Sequence, residues 1–166
     1  MANSTTKGTI VFSYDSTSLF DDVCLLSAYM VKNLASDNMS MLDEFSISDD
    51  ERHIYDECLK QVMPNIYEAV IMTVPCAEGA FSDGTGDSET GVTVTLKDNH
   101  AYNRNVLTLV DGTLQTCIKY GVLAQFYSIC VHEGLFVLAK EKYDTNLSQL
   151  KQRLFQLKKK PVSPQL

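Results

Sequence analysis

Two long apolar stripes at helical spacing, in the stretch 103–158, constrain this chain more than any other feature. Leu107, Val110, Leu114, Cys117, Ile118, Val122, Phe126 and Ile129 recur every three or four residues. That spacing lines one face of a helix starting at Asn103 or Asn105 and running to about Val131. A turn at 132–134 leads to a last helix through about Lys158. Within it Tyr143, Leu147, Leu150, Leu154 and Leu157 step by 4, 3, 4 and 3. Two heptads of such a seam fit packing inside one domain as well as a coiled coil. Gly121 lowers helix propensity by about 1 kcal/mol relative to Ala, and it permits close approach of another backbone.

Upstream segments supply partners for these stripes. Residues 9–14 (TIVFSY) are β-branched and aromatic and read as a strand. Asp15 or Ser16 caps a helix to about Ala35, with Leu19, Phe20, Val23, Leu26, Met30 and Leu34 inward. A polar connection covers 36–46. Ser48-Asp49-Asp50-Glu51 is a capping box at the start of a helix to about Val74. Ile54, Cys58, Leu59, Val62, Ile66 and Val70 face inward there, and Pro64 is expected to kink or split it. Residues 76–90 read as a loop with three glycines and the acids Glu78, Asp83, Asp87 and Glu89. In 91–97 Val92, Val94 and Leu96 alternate with Thr93 and Thr95, which marks a strand with one wet face.

The expected fold is mainly α: four helices with a small two-stranded β element made of 9–14 and 91–97. One domain covers 1–160, with the acidic loop 76–90 in it. Residues 161–166, with Pro161 and Pro164, form a non-helical tail. A chain of 166 residues suits a single core. The first residues lack the apolar core of a secretory signal. The apolar region 107–139 is interrupted by Asp111, Lys119, His132 and Glu133, so no membrane span is expected.

Charge is divided along the chain. Residues 1–100 hold 5 Lys/Arg and 17 Asp/Glu, a net of −12. Residues 101–166 hold 9 and 4, a net of +5, within an overall −7. One end of the molecule is expected to be acidic and the other basic, a reason to bind copies or neighbours head to tail. The basic segment carries Lys140, Lys142, Lys151, Arg153, Lys158, Lys159 and Lys160. A solvated helix face, an acidic protein partner and nucleic acid all fit it. The acidic overall balance favours protein.

No catalytic or metal constellation stands out. His53, His100 and His132 lack a second ligand at zinc spacing. The glycine loop has a Walker-like first spacing, Gly79 to Gly84, but no Gly-Lys-Ser/Thr, and its acids repel phosphate. Cys24, Cys58, Cys76, Cys117 and Cys130 are odd in number and read as buried free thiols in a reducing compartment. Asp98, Asn99 and Asn103 suit turn and cap amides, and Arg104 suits an acidic partner in cis or across an interface.

Several segments in order carry a resemblance. They are Leu19-Phe20-Asp21-Asp22-Val23 with Leu26-Ser27-Ala28-Tyr29-Met30-Val31-Lys32, the box Ser48-Asp49-Asp50-Glu51, and Tyr102-Asn103-Arg104-Asn105-Val106-Leu107. Followed by two long helices and a polar tail, the pattern resembles head–tail connector proteins of tailed bacteriophages, in particular crAss-like phages of gut Bacteroidales. The resemblance implies a multi-copy ring, commonly of twelve, between portal and tail, with DNA passing through the lumen. It implies location in the virion, with host cytoplasm during assembly. It implies no catalytic residue, and the sequence itself leads to the expectation of no cofactor, metal or membrane. The residues expected at interfaces are Asp83, Asp87, Glu89, Arg104, Lys140, Lys151, Arg153, Lys158, Lys159 and Lys160. Two other readings remain open: a small adaptor or regulatory protein with a protein partner, and an enzyme whose site only the fold assembles.

Overall fold

The computed structural model describes residues 5–6, 9–34, 44–74, 77–81, 91–97 and 102–158. In order they form β1 (Thr5–Thr6), β2 (Thr9–Asp15), α1 (Ser16–Leu34), α2 (Arg52–Thr73), β3 (Ala77–Phe81), β4 (Gly91–Lys97), α3 (Leu107–Ile129) and α4 (Glu133–Lys158). Short 3-10 turns, Asp49–Glu51 and Arg104–Val106, lead into α2 and α3. Among the described residues the fold is mainly α, with four long helices and a small antiparallel β element.

The expected strand pair is its centre. Strand β2 pairs antiparallel with β4, so that Ile10, Phe12 and Tyr14 lie opposite Leu96, Val94 and Val92. All six are buried, because alternation puts every second side chain of both strands on the same face. The other face stays wet, with Ser13 exposed and Thr93 half-buried. Strands β1 and β3 flank this pair, giving the order β1-β2-β4-β3. Strand β3 lies in the stretch that reads as loop. Ala77, Gly79 and Ala80 have little strand propensity of their own. Pairing with β4 supplies it, which is the usual dominance of context over β propensity.

Each helix begins as its sequence dictates. Asp15 caps α1 by accepting the Ser18 amide at 2.8 Å. At the capping box the Ser48 amide donates to the Glu51 carboxylate at 2.8 Å, and the Ser48 hydroxyl donates to the same group. The Asn103 side chain accepts the Asn105 amide at 3.2 Å ahead of α3. Helix α2 is not split at Pro64 but runs unbroken through it. Pro64 faces solvent while Val62, Met63 and Ile66 are buried around it. The amide bond it lacks therefore falls where water can serve the carbonyl.

Helix α3 is central, with α4, α2 and α1 all packed on it. Its buried set is wider than one stripe and takes in Thr113, Gly121, Leu123, Ala124 and Tyr127. Ile129, expected inward, lies exposed at its last turn, and so does Leu34 at the end of α1. At Gly121 a Cβ would stand 2.5 Å from Val62 Cγ1 on α2 and 2.9 Å from Tyr143 Cε2 on α4. The missing side chain is what lets three helices meet there. Polar links also fix β2 and α1 to α3, Gln115 donating to the Asp22 carboxylate at 3.1 Å among them. The Tyr14 hydroxyl donates to the Asp111 carboxylate at 2.8 Å, and Lys119 pairs with Asp22 at 3.3 Å.

Helix α3 turns into α4 through Val131, which has a φ of 55°. The His132 amide donates to the Tyr127 carbonyl at 3.1 Å, closing the six-residue bond of a left-handed helix cap. His132 then caps α4, its Nδ1 accepting the Leu135 amide at 3.1 Å. Its ring meets Phe45 edge to face at 4.6 Å.

Candidate functional site

The direction of α2 relative to α4 decides where the charges go. The Lys158 ammonium donates to the Thr73 carbonyl at 2.9 Å, so α2 and α4 end together. The Phe45 and His132 rings join the segment before α2 to the turn before α4. The two helices therefore run parallel. Asn65, Glu68, Ala69 and Met72 of α2 face Lys140, Tyr143, Asp144, Leu147 and Lys151 of α4 across a groove of about 390 Å³. The acidic start of α2 and the basic end of α4 are separated by the length of α2. Its 22 residues span about 33 Å.

The acidic pole collects carboxylates from several elements. Glu44, Asp49 and Asp50 are exposed before α2, and Glu133 is exposed at the start of α4. From α1, Cys24 lies close to Asp49, Asp21 and Glu51. Burial pushes its thiol up to about 11, and those carboxylates add to the rise. Glu51 is held below the usual carboxylate range, chiefly by the Ser48 hydroxyl. Arg52, a cation within this pole, is turned inward. It lies 4.3 Å over the Phe20 ring, donates to Ser16 Oγ at 3.0 Å, and reaches Asp56 at 3.9 Å.

The basic residues of α4 have different employments. Arg153 donates to the Leu109 carbonyl at 2.9 Å and to the Thr113 hydroxyl, bracing α4 against α3. Lys158 caps the end of α2 as above, where the helix dipole favours a cation. Lys140 pairs with Asp144 one turn on and lies 5.4 Å from the Tyr143 ring. Lys151 is exposed and has no ion pair among the described residues. Asp21, Asp49 and Asp50 have none either. Asp83, Asp87, Glu89, Lys159 and Lys160 lie outside the described residues, as does the Arg104 side chain.

Exposed apolar side chains accompany both poles. Met72 is 77% exposed beside Lys151, and Phe155 is exposed one turn beyond Lys151 on the same face of α4. At the acidic pole Leu25 is 73% exposed, one turn after Asp21, and Tyr29 follows one turn later. Inward stripes read from sequence pass over these positions. The signal available for Leu25 was its place off the Leu19, Val23 and Met30 line, with Asp21 and Tyr29 on its own line.

The thiols form no disulfide among the described residues; Cys58 and Cys117 are buried as expected, whereas Cys24 and Cys130 are only half-buried. Burial pushes Cys58 up to about 11 and Cys117 up to about 12, which keeps them protonated and weakly nucleophilic near neutral pH. Cys76 and His100 lie outside the described residues. Among the described residues no group of three His, Cys, Asp or Glu is placed to hold a metal ion, and no helix is long and apolar enough to cross a membrane. No family model matches the chain, and no curated protein or solved structure is significantly similar to it.

Proposed function

We propose that this chain is a non-enzymatic structural protein of a tailed-bacteriophage virion, one component of the head–tail connector ring between portal and tail. The observation that supports the reading is the pair of oppositely charged poles about 33 Å apart. A subunit in the wall of a ring presents two different surfaces to its neighbours, and such heterologous contacts close when the rotation fits. Opposite charge on the two surfaces selects orientation and speeds encounter. The ring, of about twelve copies by resemblance to the family, passes DNA through its lumen without reading sequence. Portal and neighbouring tail proteins are its other partners. The protein collects in host cytoplasm before it enters the virion.

Sedimentation velocity at low and high salt, with and without the portal complex of the same phage, tests this reading. The expected result is salt-sensitive co-sedimentation with the portal. A chain that ignores the portal at every salt concentration contradicts it.

A further inference from the structure

The groove between α2 and α4 has an apolar floor and rims of both charges. Ala69 and Tyr143 are buried in its floor, with Leu147 half-buried, while Glu68, Met72 and Lys151 stand exposed on its rims. Lys140 and Asp144 pair with each other along α4. Glu68 on one rim and Lys151 on the other have no ion pair among the described residues. The Tyr143 hydroxyl is buried without a hydrogen-bond partner. Burial pushes its ionisation up, so it remains a donor, and a buried donor costs stability until an acceptor reaches it.

Length and charge both select the occupant. Lys140 and Lys151 stand three turns of α4 apart, about 16 Å of helix axis. An extended chain covers that distance in about five residues. It offers a carbonyl at every residue, and it sets side chains two positions apart on one face, about 7 Å from each other. A purely acidic segment would bring its charge against Glu68 and Asp144. A purely basic one would bring its charge against Lys140 and Lys151. A segment with one charge of each sign satisfies both rims, and its apolar parts cover Met72, which is 77% exposed.

We infer that this groove docks an extended peptide segment of a partner protein. A basic residue of that segment meets Glu68, an acidic residue two positions away meets Lys151, and a backbone carbonyl accepts the Tyr143 hydroxyl. One copy of the chain suffices, so the site goes beyond the connector reading and stands apart from any ring. Salt weakens the docking, because the rim charges are solvated.

The test titrates the full chain into a fluorescent, end-capped peptide, Ala-Ala-Lys-Val-Glu-Ala-Ala, and follows anisotropy. Saturable binding with a Kd of about 100 μM is expected. Peptides with Lys-Val-Lys or Glu-Val-Glu at the centre bind at least about fivefold more weakly. Tyr143→Phe keeps the ring beside Gly121 and removes only the hydroxyl. It weakens the mixed-charge peptide about fivefold, while the urea midpoint of the variant does not fall. A residue that only packs would not separate those two readouts. Glu68→Gln, at an exposed position, removes the preference of the mixed-charge peptide over Glu-Val-Glu. No saturation up to about 1 mM chain overturns the inference. Equal binding of the three peptides, or unchanged binding by both variants, overturns it too. Displacement of the probe by an equal concentration of a free α-amino acid would assign the groove to a small zwitterion instead. Self-association of the chain that the peptide disperses would assign it to a second copy, and either result overturns the peptide docking.

Discussion

The Lys158 ammonium donates to the Thr73 carbonyl at 2.9 Å, joining the last turn of α4 to the last turn of α2. This bond belongs to the set that ties three helix ends together. The Asn103 amide donates to the Leu157 carbonyl at 2.9 Å, and Arg153 reaches Leu109. Parallel α2 and α4 keep the acidic helix start away from the basic helix end. Were the helices antiparallel, those charges would lie side by side and neutralise within one subunit.

Removing that cap has a small, readable cost. Lys158→Met leaves the terminal carbonyls of α2 to water and loses the favourable dipole interaction. Urea denaturation should show a loss of about 0.5 kcal/mol. The loss should shrink at high salt, since the group is exposed.

Val131→Gly should stabilise the fold. At a φ of 55° a β-branched side chain is strained, and its 88% exposure means that little packing is lost. A gain of about 1 kcal/mol is expected in urea denaturation.

Gly121→Ala should do the opposite. Its Cβ would fall 2.5 Å from Val62 Cγ1, inside any real contact distance, so α2 or α4 must shift. A loss of about 2 kcal/mol is expected. Val62→Ala in the same chain should recover part of it, because the nearest obstructing methyl is gone.

Alkaline pH should weaken the fold before the chain is chemically damaged. Burial raises Cys24 and Cys58 to about 11 and Cys117 to about 12, against an ordinary 9.0. It raises Tyr67 to about 12, against 10.0. Tyr14 rises too, by burial first and then by its bond to Asp111. The unfolded chain ionises these groups earlier than the folded one. Their stability is whole below about pH 9 and is lost as pH rises through about 12. Glu51 and Asp15 act on the other side. Both are lowered by hydrogen bonds, so their stability is whole above about pH 4.5 and is lost on acidification. Tyrosinate absorbance and circular dichroism, followed together against pH, check both limbs.

Periodicity made the helices, the strand pair and the capping box legible, because each is a local rule that its residues state directly. Ser48 and Glu51 sit three apart, and Val92, Val94 and Leu96 alternate. Strand β3 was not legible, since Ala77–Phe81 becomes a strand only where β4 has a free edge. Residues read by number alone were sorted by charge, yet Arg153 and Lys158 are spent on carbonyls of neighbouring helices. The exposure of Met72 and Leu25 depends on which faces the other helices leave uncovered, and no single stretch of chain encodes that.

The connector role proposed for this chain depends on its two poles. Averaged electron-microscope projections of the portal complex, recorded with and without the purified chain, test it most directly. The expected image adds a rotationally symmetric ring at the tail-facing end of the portal, and loses it when Lys151→Glu is used in place of the unaltered chain. Identical projections with and without the chain would contradict the claim.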